Sequence, residues 1–354
     1  MTSSKISPVR VLTAPIRFAL FDPRGTAAIL LAAIYYPDKL RSILPTYFHS
    51  WLSSPGFIRA LTGLLGLGVV RGLNRKLSQY VANNWKGDAK FIKSQEVVLI
   101  TGGSSGIGEL MAQDFAKRGV KVVVMDLRPP KSPFPSGIHF YQCDVTSSSD
   151  ISAAAAEIRK AHGDPTVLIN NAGIGTGLSI MDETEERIRL TFEVNTMAHF
   201  WMTKEFLPAM IKKNHGHVVT IASMASYLVH ALNVDYSCSK ASALAFHEGL
   251  ASELRSRYKA PNVRTTVVNP AWVRTPLIEK LTSDPRFNDP VLEAEDVSSA
   301  VVAQILSGRG GQLVLPRTMN GVTTIRGWPS WLQILLRNIL ADRFMDEDFK
   351  GLQS

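Results

Sequence analysis

Residues 96–126 read EVVLITGGSSGIGELMAQDFAKRGVKVVVMD and decide the fold of the chain. A short apolar run, Glu96–Ile100, precedes the glycine cluster TGGSSGIG, and residues Glu109–Arg118 follow it with helical spacing. A second apolar run, Lys121–Met125, ends at Asp126. A strand, a tight glycine turn, a helix and a second buried strand form the opening unit of a doubly wound α/β domain.

The same alternation of strand and helix continues to about residue 320. Further apolar runs predict strands at Ile138–Gln142, Thr166–Ile169, His217–Ile221, Arg264–Val268 and Gln312–Leu315. Helical spacing predicts helices at Ala153–Ala161, Thr184–Lys212 and Tyr236–Tyr258. Apolar strands interleaved with helices indicate a parallel sheet that is buried on both faces. The predicted fold class is therefore α/β, a doubly wound parallel sheet of the Rossmann type.

Composition excludes several other classes of protein. The chain has 354 residues, of which 45% are hydrophobic and 19% are charged, and these values exclude disordered, collagen-like and coiled-coil chains. Two cysteines, Cys143 and Cys238, are too few for a disulfide framework or a cysteine-rich zinc site. His215 and His217 are predicted to lead from a turn into a strand. We therefore predict no metal site, and we predict that Cys238 is a buried packing residue.

The positive charge is concentrated in the first quarter of the chain. Residues 1–95 hold 13 Lys and Arg against three Asp and Glu, whereas residues 96–354 hold 26 against 27. A basic segment suits either nucleic acid or an anionic membrane surface. Here the basic residues flank two apolar runs, Gly25–Pro37 and Phe57–Val70, and no nucleic-acid motif is present. The pattern favours a membrane surface and no nucleic-acid partner.

The composition divides the chain into three predicted parts. They are a basic, apolar, helical N-terminal extension at 1–93, a Rossmann-fold domain at 94–320 and an amphipathic tail at 321–354. The two apolar runs of the extension are 13 and 14 residues long, and each is shorter than the roughly 17 to 20 residues of a membrane span. Two interpretations stay open: helices packed on the domain, or short segments that dip into or lie on one leaflet, which we favour.

The tail carries an apolar stripe at helical spacing. Its members are Trp328, Trp331, Leu332, Ile334, Leu335, Ile339 and Leu340, with Arg337 and Arg343 between them. Such a stripe more often packs in a core or a dimer face than on a membrane, and all three interpretations stay open.

The glycine cluster predicts a dinucleotide site. Thr101, Gly102, Gly106, Ile107 and Gly108 form the pattern T-G-x-x-x-G-I-G between a strand and a helix. Glycines permit the tight turn and let a pyrophosphate approach the backbone, while the helix N-terminus supplies free N–H groups.

Asp126, at the end of the second strand, suits the ribose hydroxyls of NAD and repels the 2′-phosphate of NADP. Leu127 follows it, and Arg128 lies one residue further on. NAD is the predicted cofactor, with NADP as the alternative.

A second group of polar residues predicts the chemistry. Tyr236 and Lys240 lie four residues apart in YSCSK and therefore face the same side of a helix. Ser223 ends the strand HVVTIAS, and Asn195 ends the run FEVN in the middle of the long helix. With TGGSSGIG, Asp144 of CDV and NNAG at 170–173, this set resembles the short-chain dehydrogenase/reductase family. The resemblance covers residues 96–275.

The resemblance implies a role for each of these residues. Tyr236 is then the general base in alcohol oxidation and the general acid in ketone reduction, and Ser223 holds the reacting oxygen. A free phenol has a pKa of about 10, so the positive charges of Lys240 and of the nicotinamide must favour the phenolate. Lys240 also bonds the nicotinamide ribose, and Asn195 holds a water that links Lys240 to solvent. Hydride transfer between substrate and nicotinamide needs no metal.

The resemblance also implies the cofactor contacts. Asp144 meets the adenine, residues 171–173 line the cofactor floor, and residues after the sixth strand meet the nicotinamide carboxamide. The predicted cofactor-binding residues are Thr101, Gly102, Ser104, Ser105, Gly106, Ile107, Gly108, Asp126, Arg128, Asp144, Val145, Asn171, Ala172, Gly173, Tyr236, Lys240, Pro270, Val273 and Thr275. The family usually has Pro-Gly after the sixth strand, whereas this chain has Pro270-Ala271, and alanine restricts the backbone more than glycine does.

The expected substrate is a lipophilic alcohol or ketone. The run Ala225–Val234 is mostly apolar, and the segment Pro276–Val291 is expected to cover the substrate as a lid. With the N-terminal extension and the amphipathic tail, the chain resembles the membrane-associated retinol and hydroxysteroid dehydrogenase branch. The resemblance implies a homodimer, and the expected location is a membrane of the endoplasmic reticulum or a lipid droplet, with the catalytic domain in the cytoplasm. The alternatives are a cytosolic NADPH-dependent ketone reductase and a non-catalytic NAD-binding membrane scaffold.

Overall fold

The computed structural model describes residues 22–52, 54–283 and 287–342. The chain divides into two units, Met1–Val81 and Ala82–Ser354. The start of the predicted extension, residues 1–21, and the end of the predicted tail, including Arg343, lie outside the described residues, as do residues 284–286 of the predicted lid. The three-part division by composition stays a prediction.

The N-terminal unit is helical in its described part. Its helices are α1 Pro23–Tyr35, α2 Pro37–Ile43, α3 His49–Leu52 and α4 Pro55–Ala82, the last of which ends in the second unit. The side chain of Asp22 caps α1 by accepting from the backbone N–H of Arg24 at 2.9 Å. Most side chains of α4 are exposed, Leu67 and Val70 among them.

The length of α4 corrects the prediction that the second apolar run is too short to span a membrane. Within the described residues, α4 is the one helix that is long and apolar enough to cross a membrane by length and composition. Arg71 and Arg75 end the apolar run but not the helix, because arginine is a good helix former.

The second unit is built on a seven-stranded parallel sheet with the order β3-β2-β1-β4-β5-β6-β9. Its strands are β1 Val97–Thr101, β2 Lys121–Asp126, β3 Ile138–Gln142, β4 Val167–Asn170, β5 Gly216–Ile221, β6 Val263–Pro270 and β9 Gly311–Leu315. A separate two-stranded parallel sheet pairs β7 Val273–Arg274 with β8 Leu292–Glu293. The predicted doubly wound fold is confirmed, and each of the seven predicted strands lies within two residues of its predicted limits.

Helices cover both faces of the sheet. The α-helices in the described part of the second unit are α5 Gly106–Lys117, α6 Ser148–His162, α7 Glu185–Phe192, α8 Ala198–Lys213, α9 Val234–Ser256, α10 Glu279–Thr282, α11 Ala294–Leu306 and α12 Ser330–Asp342. Val98 and Ile100 of β1 pack in the core cluster that includes α5 and α11. Val97 and Leu99 pack in the opposite cluster with α6, α8 and α9. Alternate residues of one strand thus fill two cores, which is why residues 97–100 are all apolar.

Two features of the helices differ from the prediction. The predicted helix Thr184–Lys212 contains a π-helical segment, Glu193–Met197, between α7 and α8. Helix α11 lies in a stretch that carried no prediction, although Val297, Val301 and Ile305 recur at helical spacing and are buried.

Arg264 holds residues near the start of the second unit in place through hydrogen bonds. Its side chain is buried at the amino end of β6. Its guanidinium donates to the carbonyl oxygens of Asn83 at 3.0 Å, Gly87 at 2.6 Å, Pro261 at 2.8 Å and Gly308 at 3.3 Å. Residues 83–87 are therefore held at the edge of the sheet opposite the carboxyl ends of the strands.

The C-terminal stripe lies on α12 and is largely exposed. Trp331 is 67% exposed, and Ile334, Leu335 and Ile339 are each about half exposed. These side chains do not belong to the core clusters of the sheet domain.

Candidate active site

The glycine cluster forms the turn between β1 and α5, at the carboxyl ends of the parallel strands. Gly102 has φ +62°, and a Cβ there would lie 2.8 Å from Ala172 Cα. A Cβ at Gly108 would lie 2.2 Å from the carbonyl oxygen of Gly102. Only glycine fits these two positions, because the backbones of β1, β4 and α5 meet there.

Thr101 and Asn171 join the ends of β1 and β4. Thr101 Oγ1 accepts from the backbone N–H groups of Asn171 at 3.0 Å and Ala172 at 3.1 Å. Asn171 Nδ2 donates in return to the carbonyl oxygens of Thr101 at 3.0 Å and Gly102 at 2.9 Å. These four bonds fix the floor of the cleft against the glycine turn.

Two carboxylates follow the next strands. Asp126 Oδ2 accepts from the backbone N–H of Ser104 at 2.9 Å, and Asp126 Oδ1 accepts from that of Arg128 at 3.2 Å. Asp144 Oδ1 accepts from both the N–H, at 2.9 Å, and the hydroxyl, at 2.8 Å, of Thr146. Asp126 is therefore held beside the glycine turn, and its role as a ribose ligand stays a prediction.

Lys240 is a buried cation on the same helix as Tyr236. Its side chain is 3% exposed, and its Nζ donates to the carbonyl oxygen of Ile221 at 2.9 Å. The Nζ lies 5.5 Å from the centroid of the Tyr236 ring. Burial lowers the pKa of Lys240 to about 8, which keeps most of the side chain protonated at pH 7.

Tyr236 and Ser223 form the second half of the constellation. Burial raises the pKa of Tyr236, and a hydrogen bond with the Ser223 side chain acts in the opposite direction. Ser223 Oγ also accepts from the backbone N–H of Ala225 at 3.1 Å and donates to the carbonyl oxygen of Pro270 at 3.5 Å. The hydroxyl that follows β5 is thus positioned next to the phenol at the start of α9.

Asn195 lies in the π-helical segment and is fully buried. Its Oδ1 accepts from the backbone N–H of Ile174 at 2.9 Å, and its Nδ2 donates to the Ile174 carbonyl at 2.8 Å and to Ser239 Oγ at 3.0 Å. A Cβ at Gly173 would lie 3.3 Å from Lys240 Nζ and 3.4 Å from Asn195 Oδ1. Gly173 therefore marks the point where the two side chains converge.

The residues at this cleft fit a nicotinamide dinucleotide. The glycine turn leaves backbone N–H groups at the start of α5, and the buried Ser104 Oγ has no hydrogen-bond partner among the described residues. Thr275 lies over the turn, since a Cβ at Gly106 would be 3.6 Å from Thr275 Cβ. Pyrophosphate, ribose and nicotinamide thus each have suitable donors or acceptors, from the loop, from Asp126 and from the residues around Lys240.

The departure at Ala271 has a simple backbone explanation. Ala271 is not among the described residues with positive φ, and its N–H donates to the Leu315 carbonyl at 2.8 Å. This position in the described chain therefore does not need the left-handed conformation that favours glycine. Pro270, the last residue of β6, and the buried Val273 lie on either side of it.

Sequence reasoning missed the backbone partners of the site. The carbonyl oxygen of Ile221 binds Lys240, and the backbone of Ile174 binds Asn195. A pattern of side chains in the sequence cannot predict which backbone group will be such a partner. The prediction for Cys238 is wrong, because Cys238 is exposed. Cys238 follows Tyr236 by two residues, which corresponds to a rotation of roughly 200° about the helix axis. Cys238 therefore faces away from the site.

The two histidines before and in β5 have other partners. His215 Nε2 lies 3.0 Å from Glu96 Oε1, and this hydrogen bond is the main cause of the raised pKa of His215. His217 is buried, with its Nε2 2.8 Å from Thr266 Oγ1. Among residues 22–52, 54–283 and 287–342, no group of three or more His, Cys, Asp or Glu side chains could hold a metal ion.

Comparison with known proteins agrees with this geometry. The family model for short chain dehydrogenases matches residues 96–286. The chain is 45% identical over 198 residues to Dehydrogenase RED2 of Cochliobolus heterostrophus, covering 55% of this chain and 75% of the relative. It is 34% identical over 267 residues to epidermal retinol dehydrogenase 2 of Mus musculus, covering 72% and 85% of the two chains. It is also 34% identical over 258 residues to estradiol 17-beta-dehydrogenase 11 of Homo sapiens, covering 71% and 81%.

A solved structure is similar as well. The 3-ketoacyl-(acyl-carrier-protein) reductase from Brucella melitensis complexed with NADH has a TM-score of 0.55 and 25% identity, covering 62% of this chain and 96% of that chain. The chain belongs to the short-chain dehydrogenase/reductase family. It is an oxidoreductase that acts on CH–OH groups with a nicotinamide cofactor, and the predicted family and enzyme class are confirmed.

Proposed function

We propose that the chain interconverts lipophilic alcohols and their carbonyl compounds, with Tyr236 as the general acid and base. The observation that supports this proposal is the buried Lys240 Nζ, held 5.5 Å from the centroid of the Tyr236 ring. Burial of a cation beside a phenol lowers the stability of the folded protein, but the positive charge stabilises the phenolate. The nicotinamide cofactor supplies the hydride acceptor in oxidation and the hydride donor in reduction.

The proposed roles follow from the charges and contacts. Tyr236 takes the hydroxyl proton of the alcohol in oxidation and returns it in reduction. Burial alone holds the pKa of this phenol above its usual value, so the phenolate depends on the positive charge of Lys240. Ser223 donates to the reacting oxygen. Asn195 holds a water that connects Lys240 to solvent, close to Gly173.

A lipophilic substrate is the best match to the surroundings of these residues. The segment from Ala225 to Val234 carries no charged side chain, and it lies between Ser223 and the helix of Tyr236. The names of two relatives refer to retinol and estradiol, which are both lipophilic alcohols. We therefore propose a lipophilic alcohol or ketone for this chain, without choosing among retinoids, sterols and fatty alcohols.

Replacement of Tyr236 by Phe tests the chemistry. We expect kcat for oxidation of a lipophilic secondary alcohol to fall about 10²- to 10⁴-fold, because the proton acceptor is removed. NAD binding, measured by calorimetry, should change far less than kcat, because Tyr236→Phe keeps the ring and removes only the hydroxyl that transfers the proton. Tyr258→Phe, which changes an exposed tyrosine two residues past the end of the same helix, is the matched control and should keep its activity.

An active Tyr236→Phe variant would contradict the assignment of the base. Tight NAD binding by the wild-type chain without turnover of any lipophilic alcohol would favour the non-catalytic scaffold instead.

We propose NAD as the preferred cofactor. Asp126 ends β2 beside the glycine turn, where its carboxylate accepts from Ser104 N–H and has the charge that repels a 2′-phosphate. Arg128 lies next to it, and its backbone N–H, rather than its guanidinium, bonds the Asp126 carboxylate.

Replacement of Asp126 by Ser tests this choice. We expect KM for NAD to rise about 10- to 100-fold, because a charge-assisted hydrogen bond is lost, and KM for NADP to fall. Steady-state kinetics with both cofactors measures the change. Asp296→Ser removes the same charge from an exposed position on α11 and is the control. A wild-type preference of tenfold or more for NADPH would support the cytosolic reductase instead.

We propose that the chain is membrane-associated through its N-terminal helices. Helix α4 is long and apolar enough to enter a bilayer, and residues 1–95 carry a net charge of +10 that attracts anionic lipid. The exposed stripe on α12, with Arg337 beside it, is a candidate for a further contact. The endoplasmic reticulum or a lipid droplet, with the catalytic domain in the cytoplasm, is the proposed location.

Washing of membranes that carry the full chain separates insertion from surface attraction. We expect the protein to remain in the membrane pellet in about 1 M salt, where the Debye length is about 3 Å, and to be released by detergent. Immunoblotting of pellet and supernatant measures the partition. Release by salt alone would contradict insertion of α4 and leave only electrostatic attraction.

A homodimer is the proposed assembly. Helices α7 to α9 include exposed apolar side chains, among them Leu190 and Phe200, and the Phe200 ring meets that of Phe246 edge-on, with their centroids 5.0 Å apart. A second copy that packs on these helices would bury that surface.

A further inference from the structure

Three ring-bearing side chains meet one another, two of them in the segments that follow Ser223 and Pro270, and none of them belongs to the catalytic set. His230 lies in the segment between Ser223 and the helix of Tyr236. Its ring centroid is 5.7 Å from that of Trp272, with the planes tilted by 47°. Phe287 meets Trp272 edge-on, with centroids 5.7 Å apart and planes at 86°. We call these three residues the ring wall.

Trp272 is the fixed member of the ring wall. It is two residues after Pro270, whose carbonyl accepts from the Ser223 hydroxyl. The Trp272 carbonyl accepts from the backbone N–H of Leu292 at 2.8 Å, next to the β7–β8 pairing. Its indole Nε1 donates to Asp289 Oδ2 at 3.2 Å. Backbone and side chain of Trp272 are thus both held by hydrogen bonds, two residues along the chain from the Pro270 carbonyl that accepts from Ser223.

The ring wall consists of three aromatic rings tilted against one another, with the carboxylate of Asp289 beside them. Burial lowers the pKa of His230, which favours the neutral imidazole, and the nearby carboxylate of Asp289 acts in the opposite direction. The carboxylate of Asp289 accepts from the indole N–H of Trp272. Aromatic rings attract other rings through offset and edge-on contacts, and a flexible alkyl chain gains less from such a surface.

Building on the proposed function, we propose that Trp272 is a specificity-determining residue that selects alcohols carrying a planar ring next to the carbinol carbon. The ring of such a substrate packs against the indole while its hydroxyl reaches Ser223 and Tyr236. Trp272 takes no part in proton or hydride transfer, so its contribution appears as discrimination between substrates.

A matched pair of substrates tests this proposal with the full chain and NAD. The probes are 1-phenylethanol and 2-octanol, which have the same number of carbons and the same CH(OH)CH₃ group. For the wild type we expect kcat/KM to favour 1-phenylethanol by about threefold to tenfold. Trp272→Leu should abolish this preference, mainly by raising KM for the ring substrate, and Trp272→Phe should retain most of it.

Control variants separate discrimination from stability. Trp331→Leu replaces an exposed tryptophan on α12 and should leave the ratio of kcat/KM values unchanged. His230→Leu removes a second ring and should lower the ratio, which keeps the test decisive if Trp272→Leu fails to fold. Thermal melting of each variant with NAD reports folding.

The outcomes distinguish this inference from the proposed function. Equal kcat/KM values for the two alcohols in the wild type, or an equal loss for both in Trp272→Leu, would overturn the role of Trp272 and leave the proposed function standing. Tight NAD binding without turnover of these two alcohols or of any other lipophilic alcohol would overturn both.

Discussion

The burial of one ammonium group beside one phenol is the constraint on which the site depends. Lys240 is almost completely buried, and such a charge is tolerated only where hydrogen bonds replace its hydration. The carbonyl of Ile221, at the end of β5, provides one of these bonds. The lysine is therefore tied to the central sheet, and the helix that carries it places Tyr236 one turn away. Burial raises the pKa of Tyr236 and lowers that of Lys240, so burial moves each group towards its neutral form, although Lys240 stays mostly protonated at pH 7.

Several backbone segments lie close to the side chains of Lys240 and Tyr236 and to the cofactor cleft. Gly173 leaves the space between Lys240 and Asn195 open, where any side chain would meet both of them. The π-helical segment turns Asn195 towards the backbone of Ile174, and such segments often occur at functional sites. On the other side, the Thr101–Asn171 bonds hold the cleft floor against the glycine turn. Cofactor cleft and catalytic pair thus share the strand β4 and the chain that follows it.

The sequence predicted the parts of this arrangement that have a local pattern. Apolar runs located every strand of the main sheet, and glycine spacing located the turn before α5, because both reflect interactions within a few residues. The π-helical segment was not predictable, since EVN continues a helical pattern and its departure depends on the backbone of Ile174. Cys238 was wrongly predicted as buried because the prediction rested on the residue type and not on its position on the helix. The ring wall joins residues far apart in the chain, so only the folded structure brings Trp272 to His230.

The pH dependence of kcat/KM for alcohol oxidation, in the wild type and in Lys240→Met, tests the central claim most directly. Methionine keeps an unbranched stem of similar length and removes the charge. The account predicts an apparent pKa for the wild-type base well below the usual value of about 10, and a rise of at least about one pH unit in the variant. The rate at pH 7 should fall accordingly. The same apparent pKa in both proteins would contradict the claim that the buried ammonium sets the protonation of Tyr236.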